Sequence, residues 1–522
     1  MSLTPIVLSD PATSGIRKTT QSDGNEAFMQ VLPGPLIKVW GLAGPNDVKD
    51  RKWEGTFFIR PEAEIEHFMK QSAKSFLLQQ PINLIKGWDE IVVPSNPLCE
   101  DRHTIDIISM NQIDRLTESA TDKGGAFWRT WHEIRNAELM VTKEDDTFES
   151  DSDDFVSSSH KLMFVSVFDG MGGNIVSDMI SKTLHACLAL TIARFKAESQ
   201  GSSINQERLA RALSDTFVAL DNDFIQAPVA ALNGQIQRDC NSLVLPKCSP
   251  SNFLLGATEG AGSTACSVIV DTEASRMYIA HVGDSRAVAG WWNTKENRWR
   301  CDVLTEDQCG DSPKECTRRL GRHPPDEANK VIYDRGWGNR ILGTNDVVRK
   351  FGGSSSKRSH EEEEEIWNAL QTKQAFNYFP KATPPYTDTE ATVTHRDIKS
   401  EDEILKFVIV ATDGVWERIT SEEAVLLTAA YRDKPSQGDV LKTSLAEKYP
   451  LITPSEPRLF PVQDLPGTGD RIEGSWAFDG DKDAGTHLIR NVLGGGDKEW
   501  RRQLLSLREG AARQMRDDLT AV

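Results

Sequence analysis

Short apolar runs that end at an acidic residue and a glycine are the dominant pattern along this chain. Residues 164–168 (FVSVF) precede Asp169 and Gly170, and residues 407–412 (FVIVAT) precede Asp413 and Gly414. Runs of this length and composition predict buried strands. Because glycine lets the backbone approach a ligand closely, each motif predicts a carboxylate at a strand end beside accessible backbone.

Apolar residues recur at helical spacing in three longer segments. The spacing predicts helices over 61–80, where Pro61 suits the first turn, over 175–195, and over 483–507 with an interruption at glycines 494–496. On the last helix, His487 and Arg490 are predicted at i and i+3, where packing or capping contacts are the favoured interpretation over catalysis.

Further strands are predicted between these helices. Residues 92–108 form a β-rich segment that breaks at 94–97 (PSNP), and 267–270 with 277–282 predict a hairpin. Three tryptophans, Trp291, Trp292 and Trp299, are expected to pack around another hairpin. Strands and helices do not alternate regularly, which favours an α+β fold over a doubly wound sheet.

Three polar segments carry no strand or helix pattern. Residues 1–35 are interpreted as a disordered start. The acidic segment 144–154 is interpreted as a solvated loop, with a regulatory acidic site as the alternative. Residues 352–365, with a serine run and five consecutive glutamates, are interpreted as a flexible insertion.

Composition narrows the class of protein. The chain of 522 residues has 78 acidic against 60 basic residues, which argues against nucleic-acid binding because phosphate neutralisation needs a basic face. No apolar stretch is recognised that approaches the roughly 20 residues of a membrane span. The eight cysteines form no C-x-x-C pair, which favours a reducing compartment.

Acidic residues cluster in five places, and no cluster of histidines or cysteines accompanies them. Such a set of oxygen ligands favours a hard divalent cation, Mg²⁺ or Mn²⁺. Taken singly, each motif is as compatible with an ordinary turn. The five clusters are Glu100-Asp101, Asp169-Gly170, Asp284 within 283–286 (GDSR), Asp413-Gly414 with Glu417, and Asp517-Asp518.

Taken together and in this order, the segments resemble the metal-dependent protein serine/threonine phosphatases, the PPM or type 2C family. The similarity runs from about residue 60 to the end and is poor over 110–158 and 350–378. The branch it resembles best is that of the pyruvate dehydrogenase phosphatases and their fungal relatives. The matching segments are 95–101 (SNPLCED), 167–173 (VFDGMGG), 262–265 (GSTA), 282–288 (VGDSRAV), 383–386 (TPPY), 411–417 (ATDGVWE), 486–491 (THLIRN) and 516–520 (RDDLT).

The resemblance implies an α+β fold. Its centre would be a β-sandwich of two antiparallel sheets flanked by helices, a four-layer αββα arrangement with the metal site in a cleft at one end. Residues 1–59 would form a partly disordered N-terminal extension. Residues 60–522 would form the phosphatase domain, with insertions near 110–158 and 350–378.

The resemblance also implies roles for the acidic residues around two Mg²⁺ or Mn²⁺ ions. Asp169 would bridge the ions and the Gly170 carbonyl would bind one of them. Asp413 and Asp517 would bind the other ion. The remaining positions would hold metal-bound waters (Glu100 and Asp101) or line a third, weaker metal site (Asp284 and Glu417).

Several positions depart from the family pattern. Met171 stands where the family has a histidine general acid, and methionine cannot donate a proton; His103 is a substitute candidate, against a packed or solvated histidine. Asn96 replaces a phosphate-binding arginine, as expected for this branch. Gly353 replaces an aspartate near the cleft. The chain stops at Val522, early in an expected core strand, which predicts an incomplete strand.

The sequence thus supports a phosphatase that hydrolyses phosphoserine or phosphothreonine with metal-activated water. A phosphoprotein would be the substrate, with the pyruvate dehydrogenase complex as the branch suggests. The alternative is a catalytically impaired pseudophosphatase that binds or regulates a partner; a metal-dependent nuclease is disfavoured by the acidic charge. The branch indicates mitochondria, with the cytoplasm as the alternative, because residues 1–34 show no clear transit peptide.

Overall fold

The secondary structure is taken from a computed structural model. It describes residues 2–4, 16–20, 26–42, 52–82, 85–95, 98–119, 125–135, 141–142, 161–199, 205–232, 260–334, 338–369, 383–433, 438–452 and 474–522. The first strands are β1 Ser2–Thr4, β2 Ile16–Thr20, β3 Glu26–Leu32, β4 Leu36–Leu42, β5 Lys52–Phe58, β6 Ala73–Ile82, β7 Ile85–Val93, β8 Arg102–Ser109, β9 Val141–Thr142, β10 Lys161–Phe168, β11 Gly170–Met171 and β12 Gly262–Ser263. The later strands are β13 Ala265–Asp271, β14 Arg276–Val282, β15 Arg286–Asn293, β16 Arg298–Val303, β17 Ile332–Asp334, β18 Asn339–Ile341, β19 Phe351–Gly352, β20 Thr392–Asp397, β21 Glu403–Ala411, β22 Val440–Leu441, β23 Ser475–Trp476 and β24 Leu519–Ala521.

Helices surround these strands. The α-helices are α1 Glu62–Ser72, α2 Met110–Ser119, α3 Gly125–Ile134, α4 Ile175–Glu198, α5 Gln206–Leu232, α6 Pro313–Leu320, α7 Ala328–Val331, α8 His360–Ala369, α9 Asp413–Trp416, α10 Ser421–Arg432, α11 Lys442–Lys448, α12 Ala484–Val492, α13 Lys498–Ser506 and α14 Glu509–Met515. Short 3₁₀ turns occupy Pro325–Glu327 and Ser354–Ser356.

Two antiparallel sheets form the centre of the molecule. The first has the strand order β20-β14-β13-β10-β8, and the second has the order β16-β15-β21-β24-β7-β6-β9. One buried cluster fills the space between them, with Val167 and Val268 from the first sheet and Ala289 and Val410 from the second. Because alternate residues of a strand face opposite sides, each sheet also has an outer apolar face to cover.

Helices cover both outer faces. On the first sheet, α4 and α5 pack with Phe164 and Ile269 in one cluster. On the second sheet, α10, α12 and α13 pack with Ile91 and Ile409 in another. The helix–sheet–sheet–helix order confirms the predicted α+β fold of four layers. The predicted metal-binding cleft would lie where the ends of both sheets meet.

The N-terminal region differs from its predicted disorder. Strands β1 to β5 form a separate antiparallel sheet, so the interpretation is wrong for the described residues before 35. Met29 and Val39 are directly paired, and both are buried in the same core as α14. On the other face, Phe28 stacks on Trp40 with ring centroids 5.6 Å apart. Strands β1 and β2 are short and mostly polar, whereas β3 has five apolar residues in seven, a strand signal that the interpretation as disordered overlooked.

The flexible insertion predicted at 352–365 is also wrong. The segment contains β19, a 3₁₀ turn and the start of α8. Ser356 and Arg358 in this segment are buried and hydrogen-bonded: Ser356 Oγ donates to the Gly353 carbonyl at 2.7 Å, and Arg358 Nη2 donates to the Ile225 carbonyl at 2.5 Å. The acidic segment 144–154 lies outside the described residues.

Most of the remaining pattern-based predictions hold with adjusted ends. The 61–80 helix is confirmed as α1 up to Ser72 and is wrong over 73–80, which belong to β6. The 92–108 segment divides into β7 and β8 around the proline break. The hairpin is β13–β14, where Asp271 Oδ1 accepts the Glu273 and Ala274 N–H groups in the turn. The 483–507 helix is α12 and α13, which begin at capping side chains of Asp483 and Asp497.

Helix α4 has the length and apolar composition of a membrane span, which the sequence pattern did not single out. Within the described residues it is the helix that meets those criteria, and 67% of its most apolar window is buried inside the protein. Its Ile180, Leu184 and Leu188 pack against the first sheet and α5. In this fold α4 is therefore a core helix.

Candidate metal centre

Four strand or helix ends from both central sheets bring the predicted carboxylates together. Asp169 follows β10 and Asp284 follows β14, which run in the same direction in the first sheet. Asp413 follows β21 as the first residue of α9, and Asp517 precedes β24 in the second sheet. The loops at this end of the sandwich therefore concentrate acidic side chains in one place.

The carboxylates fall into two groups that share one residue. Carboxylate oxygens of Asp169, Asp284 and Asp413 lie within 4.8 Å of one another, and so do those of Asp413, Glu417 and Asp517. Such spacing and an all-oxygen donor set fit hard divalent cations, so the residues present could hold a metal ion. We refer to these five residues together with Glu100 and Asp101 as the carboxylate centre.

Crowding of like charges shifts the pKa values of these carboxyl groups. Burial first, then the Asp413, Asp101 and Asp284 charges, raises the pKa of Asp169 well above its ordinary value. Burial and Asp413 do the same for the pKa of Asp284. Burial and the neighbouring Glu417 raise the pKa of Asp413 to about 6. The negative form of each group is disfavoured, as expected where the balancing positive charge must come from a bound cation.

Glu100 and Asp101 border the two groups. Burial and the Asp518 and Asp413 charges raise the pKa of Asp101 to about 8, and its Oδ2 accepts the Thr412 hydroxyl at 2.8 Å. Burial also raises the pKa of Glu100, against the opposing effect of Arg513. Neither carboxylate belongs to the two close groups, so their predicted part in holding water stays a prediction.

The second acid of the C-terminal pair has a structural part that the sequence did not reveal. Asp518 is buried and accepts the Ser95 N–H at 2.5 Å, the Ser95 hydroxyl at 2.7 Å and the Glu100 N–H at 2.7 Å. Although burial acts in the opposite direction, these hydrogen bonds lower the pKa of Asp518. Asp518 thus ties the Glu100 loop to the strand that carries Asp517.

Gly170 occupies a position that no side chain could share. A Cβ there would lie 2.4 Å from the Glu100 carbonyl oxygen and 2.8 Å from Ser177 Oγ. The Ser177 hydroxyl on α4 donates to that same carbonyl at 2.6 Å, so the Glu100 loop is hydrogen-bonded to α4 where it packs against Gly170. The approach of the Asp-Gly backbone to a ligand and the Gly170 carbonyl as a ligand both stay predictions.

Met171 lies beside a buried lysine. The strand order β11-β12-β19 places Gly262 between Met171 and Gly352, and a Cβ on Gly262 would be 3.4 Å from Met171 Cγ and 3.0 Å from Lys350 Cδ. Lys350 Nζ donates to Asn345 Oδ1 at 2.5 Å, and burial lowers the pKa of Lys350 to about 7. A Cβ on Gly353 would lie 2.9 Å from that Nζ, so the lysine borders the space where the family aspartate would project.

His103, the substitute-acid candidate for Met171, is paired with a carboxylate. Its Nε2 lies 3.2 Å from Glu90 Oε2, and it is the second residue of β8, opposite Val167. This favours the packed interpretation. Asn96 lies outside the described residues.

The C-terminal helix residues are structural, as the sequence favoured. Arg490 is buried and its guanidinium bonds Glu66 at 2.5 and 2.8 Å and Asp481 at 2.6 Å. His487 stacks on Tyr431 at 5.3 Å. We call Glu66, Asp479, Asp481, Arg490 and Arg501 the Arg490 cluster. The tryptophan prediction also holds, since Trp292 and Trp299 meet edge to face across the β15–β16 hairpin.

The sequence did not indicate two basic residues that the structure makes important. Arg513 on α14 pairs with Asp517 of the carboxylate centre. Lys350 is buried beside Met171 and lies outside that centre. The i, i+4 spacing of Arg513 and Asp517 is a signal that could have indicated the pair.

The sequence pattern of the protein phosphatase 2C family matches residues 135–446 of this chain, which is more than half of its length. The chain belongs to the protein phosphatase 2C family. Asp169, Asp284 and Asp413 lie within the matched residues. Glu100, Asp101 and Asp517 lie outside them, and the fold returns these three to the same place through β7, β8 and β24.

Curated relatives include pyruvate dehydrogenase phosphatases. The chain is 28% identical over 388 residues to the mitochondrial pyruvate dehydrogenase (acetyl-transferring) phosphatase 1 of Saccharomyces cerevisiae, covering 72% of this chain and 64% of that protein. It is 28% identical over 327 residues to the human phosphatase of the same name, covering 60% and 53%. The match to each thus spans less than two thirds of the relative's length.

Two further relatives belong to the same family. A protein phosphatase 2C homologue of Schizosaccharomyces pombe is 27% identical over 367 residues, covering 68% of this chain and 72% of that protein. The solved structure of a Toxoplasma gondii serine-threonine phosphatase 2C is 17% identical, covers 56% of this chain and 84% of that chain, and has a TM-score of 0.31. At that TM-score the superposition adds no detail to the site.

Proposed function

We propose that this chain is a metal-dependent protein serine/threonine phosphatase. The observation that carries the proposal is the pair of carboxylate groups joined at Asp413, whose negative charges are crowded together at the end of the sandwich. A scaffold without chemistry has no physical need to hold so many carboxylates together at a desolvation cost. Membership of the protein phosphatase 2C family supports the same activity.

Each group of residues at the carboxylate centre would have its own role in the reaction. Asp169, with the Gly170 carbonyl, Asp413 and Asp517, would hold two divalent cations, Mg²⁺ or Mn²⁺, and Asp284 with Glu417 would line a weaker third site. When bound, such ions lower the pKa of water and offset phosphoryl charge. Glu100 and Asp101 border the centre and would orient water for in-line attack on phosphorus. Thr412 and Ser177 fix the Asp101 carboxylate and the Glu100 backbone through the hydrogen bonds described above.

The substrate would be a phosphoserine or phosphothreonine protein. The named activity of the Saccharomyces cerevisiae and human relatives supports the pyruvate dehydrogenase complex as the specific candidate. The same names support a mitochondrial location for this chain. The cytoplasm stays the alternative.

Phosphopeptide hydrolysis tests the activity. The purified full chain should release phosphate from a phosphothreonine peptide with Mn²⁺ and lose that activity with a chelator. Asp413→Asn should abolish it, because this residue joins the two groups. Hydrolysis that continues in the presence of chelator would contradict the metal-dependent proposal.

A second candidate, an impaired phosphatase that acts as a binding protein, is favoured by Met171. Methionine offers no proton to a leaving serine or threonine oxygen, and losing a general acid costs about 10²–10⁴-fold in rate. Met171→His should therefore raise kcat on a phosphoserine peptide more than on an aryl phosphate, whose leaving group needs less protonation. Equal rates for the wild type and the Met171→His variant, both active, would remove the case for this candidate.

A further inference from the structure

The side chain of Arg513 lies among the acids of the carboxylate centre. It pairs with Asp517, and its electrostatic neighbours are Asp413, Asp169, Asp518 and Glu100. The reciprocal effect is present, since the Arg513 charge opposes the rise in the pKa values of Asp169, Glu100 and Asp413. Arg513 is therefore the cation that partly balances this centre from within the chain.

The position of Arg513 is fixed from behind by packing. Ala511, Ala512 and Met515 on the same helix are buried, and α14 contacts β3 and β4 of the N-terminal sheet. Met29 and Val39 from those strands share one core cluster with Met515. The backbone that carries Arg513 is thus held by a sheet that lies outside the residues matched by the family pattern.

The Arg513 side chain is partly exposed beside the carboxylate centre. It is 37% exposed, whereas that of Asp517 is 13% exposed, and the Arg513 Nη1 atom is buried. In the Arg490 cluster, by contrast, the Arg490 side chain is 1% exposed. Arg513 thus keeps part of its side chain open to solvent, whereas Arg490 is enclosed by its partners.

Other arginines near the centre are committed elsewhere. Arg286 bonds Asp307 through Nε at 3.1 Å and Nη2 at 2.7 Å. Arg102 reaches Asp178 at 3.4 Å and donates to the Cys99 and Asp101 carbonyls at 2.7 Å. Position 96, where the family resemblance places a phosphate-binding arginine, is an asparagine in this chain.

We propose that Arg513 binds the phosphoryl group of the substrate from α14. The inference rests on the proposed phosphatase function. Guanidinium groups bind phosphate oxygens bidentately and stay charged at all working pH values. In this arrangement Asp517 and a phosphoryl oxygen are alternative partners of the same guanidinium, so occupation of Asp517 by a cation would favour the phosphate contact.

Binding of inorganic phosphate to the Mn²⁺-loaded full chain tests the proposal without requiring turnover. Calorimetry would compare wild type, Arg513→Gln, Arg513→Lys and the exposed control Arg508→Gln at the start of the same helix. Loss of a charge-assisted contact predicts phosphate affinity weaker by about 10- to 100-fold in Arg513→Gln, with partial recovery in Arg513→Lys. The control should match wild type.

Mn²⁺ titration of the same proteins separates binding of phosphate from organisation of the centre. Mn²⁺ affinity should be unchanged or tighter in Arg513→Gln, because a competing cation has been removed from Asp517. Unchanged phosphate affinity, or a parallel loss of phosphate and Mn²⁺ affinity, would overturn the inference. If the wild type hydrolyses phosphopeptide but Arg513→Gln binds phosphate as the wild type does, the proposed function stands and the inference about Arg513 fails. If phosphate binding depends on Arg513 but the wild type hydrolyses no phosphopeptide, the inference stands and the proposed function fails.

Discussion

The carboxylate centre and the Arg490 cluster are built from the same residue types but balance charge in opposite ways. In the Arg490 cluster, Arg490 and Arg501 lie among Glu66, Asp479 and Asp481. Burial raises the pKa of Asp481, but His487 and Arg490 outweigh it and bring the pKa to about 2. In the carboxylate centre, by contrast, the pKa of Asp101 is raised to about 8 and that of Asp413 to about 6.

The direction of the pKa shift therefore distinguishes a functional cluster of acids from a structural one. The Arg490 cluster contains its own counter-charge, so the pKa of Asp481 is lowered and the cluster needs nothing from solution. The carboxylate centre holds seven acids and draws on Arg513, and the pKa values of Asp169, Asp284, Asp413, Glu100 and Asp101 are raised. These five acids resist ionisation until another cation arrives. Four predictions sharpen or break this contrast.

The largest expected effect is on catalysis. Asp169→Asn should lower phosphopeptide hydrolysis by at least about 10²-fold, since even outer-shell partners of metal ligands cost that much. Asp481→Asn, the matched change in the Arg490 cluster, should leave kcat/KM of the folded protein within a few fold. Steady-state kinetics with Mn²⁺ measures both, and equal losses in the two variants would break the contrast.

The next largest effect is on stability. Arg490→Met should lower the free energy of unfolding by about 3–5 kcal/mol, because Asp481, whose side chain is 2% exposed, would stay buried without its guanidinium partner. Mn²⁺ affinity should not change. Urea unfolding measures the loss. The control Arg508→Met, at an exposed arginine, should change the free energy of unfolding by less than about 0.5 kcal/mol. A loss as small for Arg490 as for Arg508 would show that the cluster is not held by its charges.

Neutralising one acid of the carboxylate centre should stabilise the protein when no metal is bound. Asp413→Asn should raise the free energy of unfolding of the chelator-treated protein by about 1–3 kcal/mol, because it relieves the burial of charge and the repulsion that raise this pKa to about 6. With saturating Mn²⁺ the sign should invert, since wild type then gains binding energy that the variant lacks. Thermal unfolding with and without Mn²⁺ checks this, and destabilisation under both conditions would contradict it.

The last prediction concerns Lys350, a cation that is buried without lying among these acids. Burial lowers its pKa to about 7 from 10.5. Between these values the unfolded chain binds a proton that the folded one does not, so wild-type stability rises with pH by up to about 1.4 kcal/mol per unit from this group. The advantage of Lys350→Met should be largest at pH 7 and shrink toward pH 10. Exposed Lys295→Met should show no such pH dependence, and a flat difference for Lys350 would contradict the burial account.

Much of the centre was predictable because its acids sit in local motifs. A strand followed by Asp-Gly identifies Asp169 and Asp413 from a few residues, and the resemblance added Asp284 and Asp517. Arg513 and Lys350 were missed because their significance comes from long-range packing: α14 against the N-terminal sheet, and β19 against β12. The predicted flexibility of 352–365 failed for a related reason, since buried hydrogen bonds satisfied a polar run that looked solvated.

Helices and strands were also predictable where a local sequence signal marks them. Helix α4 and the β13–β14 hairpin carry their own periodicity and turn residues, and both were predicted closely. The division of 61–82 into α1 and β6 was not, because β6 is specified by its pairing with β7, and no local signal separates the two elements.

Calorimetric titration of Mn²⁺ into the metal-free full chain tests the central claim most directly, namely that the carboxylate centre takes its counter-charge from bound cations. The account predicts saturable binding that Asp169→Asn or Asp413→Asn weakens strongly and that Asp481→Asn leaves unchanged. Absence of binding, or binding that survives both changes in the carboxylate centre, would contradict it.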